Sequence, residues 1–65
     1  VLITFEDPRL RECYIKDDIP EDYTTVKVFY SNGRFSTLTL VDTILYSVVE
    51  FMVEDNKEVM RVHIF

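Results

Sequence analysis

The chain has 65 residues, 48% of them apolar and 14% aromatic, and a net charge of −5. That is one domain, residues 1–65, of a size that buries only about 60% of the surface its unfolded form exposes, so tight packing or a partner subunit is expected to support it. The single cysteine, Cys13, excludes an internal disulfide, no run approaches the roughly 18 apolar residues of a membrane span, and the negative charge disfavours direct nucleic-acid binding. A lone thiol with no basic-then-apolar leader fits a reducing, cytoplasmic setting.

In chain order, Val1 to Phe5 reads as a strand and Asp7-Pro8-Arg9 as its turn, since Asp suits the first turn position and Pro the second. Leu10 to Lys16 reads as the returning strand, with Arg11, Cys13 and Ile15 on one face and Leu10, Glu12, Tyr14 and Lys16 on the other. Asp17, Asp18, Glu21 and Asp22 make the next segment an acidic loop, and Pro20 argues against regular structure in it. Residues 24–40, TTVKVFYSNGRFSTLTL, are two β-prone runs meeting at Asn32-Gly33. That dipeptide predicts a hairpin closed by a type I′ turn, with both residues at positive φ.

Residues 42–54 carry Thr43, Ser47, Glu50 and Glu54 on one helical stripe, with Leu45, Val48, Val49 and Met52 on the apolar side. Asp42 is the expected N-cap. The many β-branched and aromatic residues here oppose a helix by propensity, but the periodicity outweighs them. After a turn at Asp55-Asn56, Lys57 to Phe65 reads as a last strand, with Arg61 and His63 on one face and Met60, Val62 and Ile64 on the other. The expected fold is α+β: a small antiparallel sheet of about five strands, in the order β-β-β-β-α-β, with one helix at 42–54 packed on one face. The alternative is all-β.

The stretch VKVFYSNGRFSTLTLVDTILYSVVEFMVEDN resembles the hairpin-then-helix opening of ubiquitin-like and Ras-association domains. The resemblance implies a helix laid across the sheet. Those domains continue with several more strands, whereas only Lys57 to Phe65 follows here, so no family function is carried over.

The chemistry-bearing residues are few. His63 and Cys13 are each the only one of their kind, and the sole glycine, Gly33, is used in the turn. No nucleophile, base and orienting group stand together in the sequence, so no catalytic residues are assigned and the protein is expected not to be an enzyme. The acidic loop lacks the central glycine and alternate ligand spacing of a calcium loop. One His and one Cys do not make a zinc site. Neither a metal nor a cofactor is expected.

Binding through surface is left. The hairpin holds Lys27 and Arg34 and no acid, whereas acidic residues dominate on both sides of it. The expected function is a non-enzymatic protein–protein interaction module, a small acidic regulator or inhibitor. It docks on a larger, basic protein or self-associates as a homodimer, through a sheet edge or the apolar hairpin face. The candidate contact residues are Phe29, Tyr30 and Phe35 on the hairpin and the carboxylates Asp17, Asp18, Glu21, Asp22, Glu50 and Glu54. A sharper form makes those carboxylates a nucleic-acid mimic that occupies a phosphate-binding site; a further alternative is a structural subunit of a larger assembly. The apolar terminal runs, Val1 to Phe5 and Val59 to Phe65, are the expected pairing edges.

Overall fold

A computed structural model describes residues 1–65 as β1 (Leu2–Phe5), α1 (Pro8–Ile15), β2 (Thr24–Tyr30), β3 (Phe35–Leu40), α2 (Leu45–Asp55) and β4 (Val59–Ile64). The α+β class is as expected, with four strands and two helices in place of about five strands and one helix. The sheet is mixed rather than antiparallel, in the order β1-β4-β2-β3. β4 runs parallel to β1 and antiparallel to β2, and β2 runs antiparallel to β3. The two apolar terminal runs therefore pair with each other, and the edges are β1 and β3. A single strand follows α2, so the hairpin and helix are not extended into further sheet.

Residues 10–16, expected as a strand, are helical. Asp7 is extended at φ −125° and its Oδ1 accepts from the Arg9 N–H at 2.9 Å, while Pro8 opens the helix. Pro is favoured there because the first helical N–H has no partner in any case and the ring presets φ. Leu10, Cys13 and Tyr14 form the inward stripe against the core, and Ile15 is exposed. The helix stops in a Schellman arrangement: Asp18 N–H bonds to Cys13 O at 2.9 Å and Asp17 N–H to Tyr14 O at 3.2 Å. Asp17 takes the left-handed conformation, φ 57°, that usually falls to glycine.

The hairpin forms where Asn32-Gly33 places it, but the turn is not type I′. Gly33 has φ +84° and Asn32 is not at positive φ. Gly33 N–H bonds to Tyr30 O at 3.1 Å and Tyr30 N–H to Arg34 O at 2.9 Å, which is a type I turn closed by a left-handed glycine bulge. Asn32 Oδ1 accepts from Arg34 N–H at 2.9 Å and fixes the loop from inside.

α2 also departs from expectation at its start. Asp42 is not the N-cap: it lies in the preceding loop at φ 53°, and Ile44 caps without a side-chain hydrogen bond. What holds this helix is tertiary burial. Leu45 and Val49 are fully buried, each worth about 1.5–3 kcal/mol relative to exposure, enough to override the weak propensity of its valines. At its end Asn56 Oδ1 accepts from Glu58 N–H at 3.1 Å and turns the chain into β4.

The core joins Val26, Val28, Leu40, Leu45, Val49, Val59, Val62 and Ile64. Met60, expected to share a face with Val62 and Ile64, is exposed, and Val59 is buried with them instead. Phe29 pairs with Arg61 and Tyr30 with Val59, so Met60 is an extra residue in β4. This bulge reverses the alternation at the start of the strand. Ile3, Phe5, Leu10, Cys13, Tyr14 and Met52 complete the same layer, which puts both helices on one side of the sheet.

Candidate functional site

With both helices on one side, the other face of the sheet is open. The register places Leu2, Arg61, Phe29 and Phe35 in one row across the four strands, and Thr4, His63, Lys27 and Thr37 in the next. Phe65 and Thr25, whose backbones exchange hydrogen bonds, begin a third row that continues to Thr39.

The first two rows hold cations on aromatic rings. Arg61 Cζ lies 4.1 Å from the Phe29 centroid, and Lys27 Nζ 4.2 Å from that of Phe35 and 5.5 Å from that of Phe29. The two rings are 6.2 Å apart, tilted by 41°. Each cation–ring contact contributes about 0.5–1 kcal/mol at an exposed site and fixes a long side chain that would otherwise sweep through solvent. Neither cation is paired with a carboxylate; the ion pairs are Arg9–Asp7, Lys16–Glu12 and His63–Glu6. The face is thus locally positive and aromatic on a molecule of net charge −5.

Beside it is a group that sequence order hides. Thr4 Oγ1 is 2.9 Å from His63 Nδ1, and His63 Nε2 is 3.3 Å from Glu6 Oε2. With the proton on Nε2 facing Glu6, Nδ1 accepts from the Thr4 hydroxyl; with a proton on both nitrogens, the hydroxyl accepts and turns its own proton to Val62 O, 3.4 Å away. The ring stacks on Phe65 at 5.3 Å. His63 is half-buried by these contacts, with its side chain 29% exposed. Hydroxyl, imidazole and carboxylate are in the sequence that polarises a nucleophile. They lie on a flat sheet, however, and the hollow at the β1 margin beside Thr4 and Glu6 is a shallow one edged by Pro8 and Arg11. Cys13 is on the helix side, across the sheet from His63.

Of the hairpin residues named from sequence, Phe29 and Phe35 meet on the open face, with Phe35 58% exposed. Tyr30 points the other way, packs against the core, and donates to Ser36 Oγ at 3.3 Å. The carboxylates do not gather with them. Asp17, Asp18, Glu21 and Asp22 precede Thr24, at the end of β2 away from the hairpin turn. Asp17 ends α1, and Asp18 Oδ1 accepts from Ile19 N–H at 2.8 Å. Glu50 accepts from the Tyr14 hydroxyl at 3.0 Å between the helices, and Glu54 is exposed on α2.

Lys27, Arg61, His63, Thr4 and Glu6, none of them among the contact residues expected from the sequence, come together because β4 lies between β1 and β2. The signal in the chain is the i, i+2 spacing of Lys27 with Phe29 and of Arg61 with His63. It becomes a site only once the strand order is known.

No protein-family model matches the chain, and no curated protein or solved structure is found to be similar to it. The fold alone defines the class: a small α+β domain with a four-stranded mixed sheet, covered on one side by two helices. No helix is long and apolar enough to cross a membrane.

Proposed function

We propose that this chain is a non-enzymatic protein-interaction module that receives an extended, acidic segment of another protein on its open sheet face. The observation that carries the reading is the pair of unpartnered cations, Lys27 and Arg61, held on the Phe35 and Phe29 rings. A carboxylate arriving there meets a preorganised donor, and an apolar neighbour meets the exposed parts of Phe35, Leu2 and Phe65. Threonine hydroxyls at positions 25, 37 and 39 supply polar contacts between them.

An acidic peptide suits this face better than single-stranded nucleic acid. Base stacking needs free ring faces, and here Arg61 and Lys27 each cover one face of Phe29 and Phe35. A strand with a charge at every phosphate also feels the whole net charge of −5, whereas one or two carboxylates feel mainly charges within the Debye length of about 8 Å. A basic partner for the acidic loop, and a phosphate-mimicking role for the carboxylates, have less support, because Asp17 and Glu50 serve the fold and the remainder do not form a row.

Selection from a display library of random short peptides tests the proposal. Enrichment of Asp or Glu alternating with aliphatic or aromatic residues is expected, with loss of binding on Arg61→Glu. Enrichment of basic peptides, or binding indifferent to Arg61→Glu, would refute it.

A further inference from the structure

Apart from the open face, the least protected feature of the molecule is the free edge of β3. Its six residues, Phe-Ser-Thr-Leu-Thr-Leu, include no charged residue and no proline, and the strand pairs with β2 without a bulge. Those are the devices by which proteins block an edge. β1, the other edge, is a shorter strand of four residues flanked by Glu6 and Asp7.

The direction of the free backbone groups follows from the ladder. Tyr30 bonds to Arg34, and Thr25 bonds to Phe65 on the β4 side. Hydrogen-bonded pairs alternate along an antiparallel strand. In β3, then, Ser36, Leu38 and Leu40 bond to β2, while the N–H and C=O groups of Phe35, Thr37 and Thr39 point outward.

An apolar flank accompanies this edge. Tyr46 and Glu50 of α2 face α1 through Tyr14, with the Tyr14 and Tyr46 rings 5.0 Å apart. Ile44, Val48 and Phe51, at helical spacings of 4 and 3, lie on the opposite flank. α1 packs on β1, so that opposite flank lies toward β3. Phe51 is 66% exposed, Ile44 49% and Leu38, on the helix side of β3, 40%. The whole chain exposes 4705 Å², against about 4,400 Å² for a compact protein of this mass.

We propose that β3 pairs antiparallel with β3 of a second copy, about a two-fold axis through Thr37, joining two sheets into one. This arrangement pairs Thr37 with the second copy's Thr37, and Phe35 with the second copy's Thr39, using only the outward groups. On the helix side Leu38 falls opposite the second copy's Ser36, and the flank of α2 that carries Val48 and Phe51 faces the second copy. A second copy fits better than a foreign strand because the strand is self-complementary in this register and sets no like charges together. Self-contact across the open face would instead set Lys27 and Arg61 against their own copies.

Six residues of strand run about 20 Å, and with the helix layer above it the contact covers roughly 400–600 Å² per copy. Counted over both copies, that is at or below the low end of stable specific interfaces, the size of weak and transient contacts.

Light scattering and sedimentation over a concentration series from the low micromolar to about 0.5 mM test this. The mass is expected to rise from 7.8 kDa to twice that value and stop there. Thr37→Pro removes an N–H that the fold leaves free, a position where proline is tolerated in an edge strand. It is expected to hold the chain as a monomer with unchanged circular dichroism. Phe51→Glu, at an exposed helix position, is expected to weaken association by at least tenfold, and Lys27→Glu to leave it unchanged. A wild-type chain that stays at 7.8 kDa throughout overturns the proposal, as does growth beyond the dimer. So does a dimer lost on Lys27→Glu but kept in both Thr37→Pro and Phe51→Glu.

Discussion

Replacing Tyr14 by Phe tests the packing of the two helices, because Tyr14 meets Glu50 only if residues 8–15 are helical. Its hydroxyl donates to Glu50 Oε1 at 3.0 Å, and its ring lies 5.6 Å from Phe5 and 5.0 Å from Tyr46. Burial, then the Glu50 hydrogen bond and charge, push the phenol from the ordinary 10.0 up to about 12. Each tenfold change in proton affinity is about 1.4 kcal/mol, so the ceiling is roughly 2.7 kcal/mol; solvent reaching the rim of the ring reduces it to about 1–1.5 kcal/mol. The folded state keeps the proton to about pH 12 while the unfolded chain releases it near 10. Between these values the unfolded state binds fewer protons, and stability falls as pH rises. The contribution is complete below pH 10.

At neutral pH Tyr14→Phe is expected to cost about 0.5–1.5 kcal/mol for the lost hydrogen bond. Above pH 10 the wild type should lose this advantage, and near pH 12 the two proteins should be equally stable or reversed. Urea titrations followed by far-ultraviolet circular dichroism, at neutral pH and at steps up to pH 12, give both curves. Comparison with the variant cancels every other alkaline titration. Stabilities that stay parallel over this range, or a phenol that ionises at its ordinary pH by ultraviolet absorbance, would refute the Tyr14–Glu50 contact and the helical assignment behind it.

Thr24 is fully buried and its hydroxyl has no hydrogen-bond partner; Thr24→Val should stabilise the fold by about 1 kcal/mol, raising Tm by about 4–8 °C in calorimetry, and a lowered Tm would show the hydroxyl to be satisfied. Asp17→Gly should stabilise by about 0.5–1 kcal/mol, since glycine takes the left-handed helix terminus without a Cβ penalty; a destabilised variant in urea melts would deny the Schellman ending. The chain should not turn over an activated ester such as p-nitrophenyl acetate above the rate of free imidazole. Turnover lost together in Thr4→Val and His63→Gln would make the Thr4–His63–Glu6 group an active site and overturn the non-enzymatic reading.

The parts legible in the sequence were those with a local signature. Asn32-Gly33 between β-prone runs located the hairpin, and the stripe of Leu45, Val49 and Met52 located α2 in spite of its valines. Asp7-Pro8 was ambiguous, because the same pair opens a type I turn or caps a helix with proline at its first position. Leu10, Cys13 and Tyr14 carry the helical spacing that decides it, but a non-glycine residue at position 17 concealed the stop. The inward and outward sets of β4 were shifted by the bulge at Met60, which no residue type announces. The open face was least legible: Lys27, Phe29 and Phe35 share one hairpin, but Arg61 reaches Phe29 only because the final strand enters the sheet between β1 and β2. That order is set by non-local packing, and the nucleophile-like trio of Thr4, His63 and Glu6 was hidden for the same reason.

The most direct test of the central claim is a nuclear magnetic resonance titration of the ¹⁵N-labelled chain with a short peptide alternating Glu and Val. Shifts are expected only at the amides of Lys27, Phe29, Phe35, Arg61 and His63 and their row neighbours, weakening as salt is added. The matching Lys and Val peptide and single-stranded oligonucleotides should produce none. Shifts confined to the acidic loop or to the helices, or an oligonucleotide that moves the open-face amides while the acidic peptide does not, would contradict it.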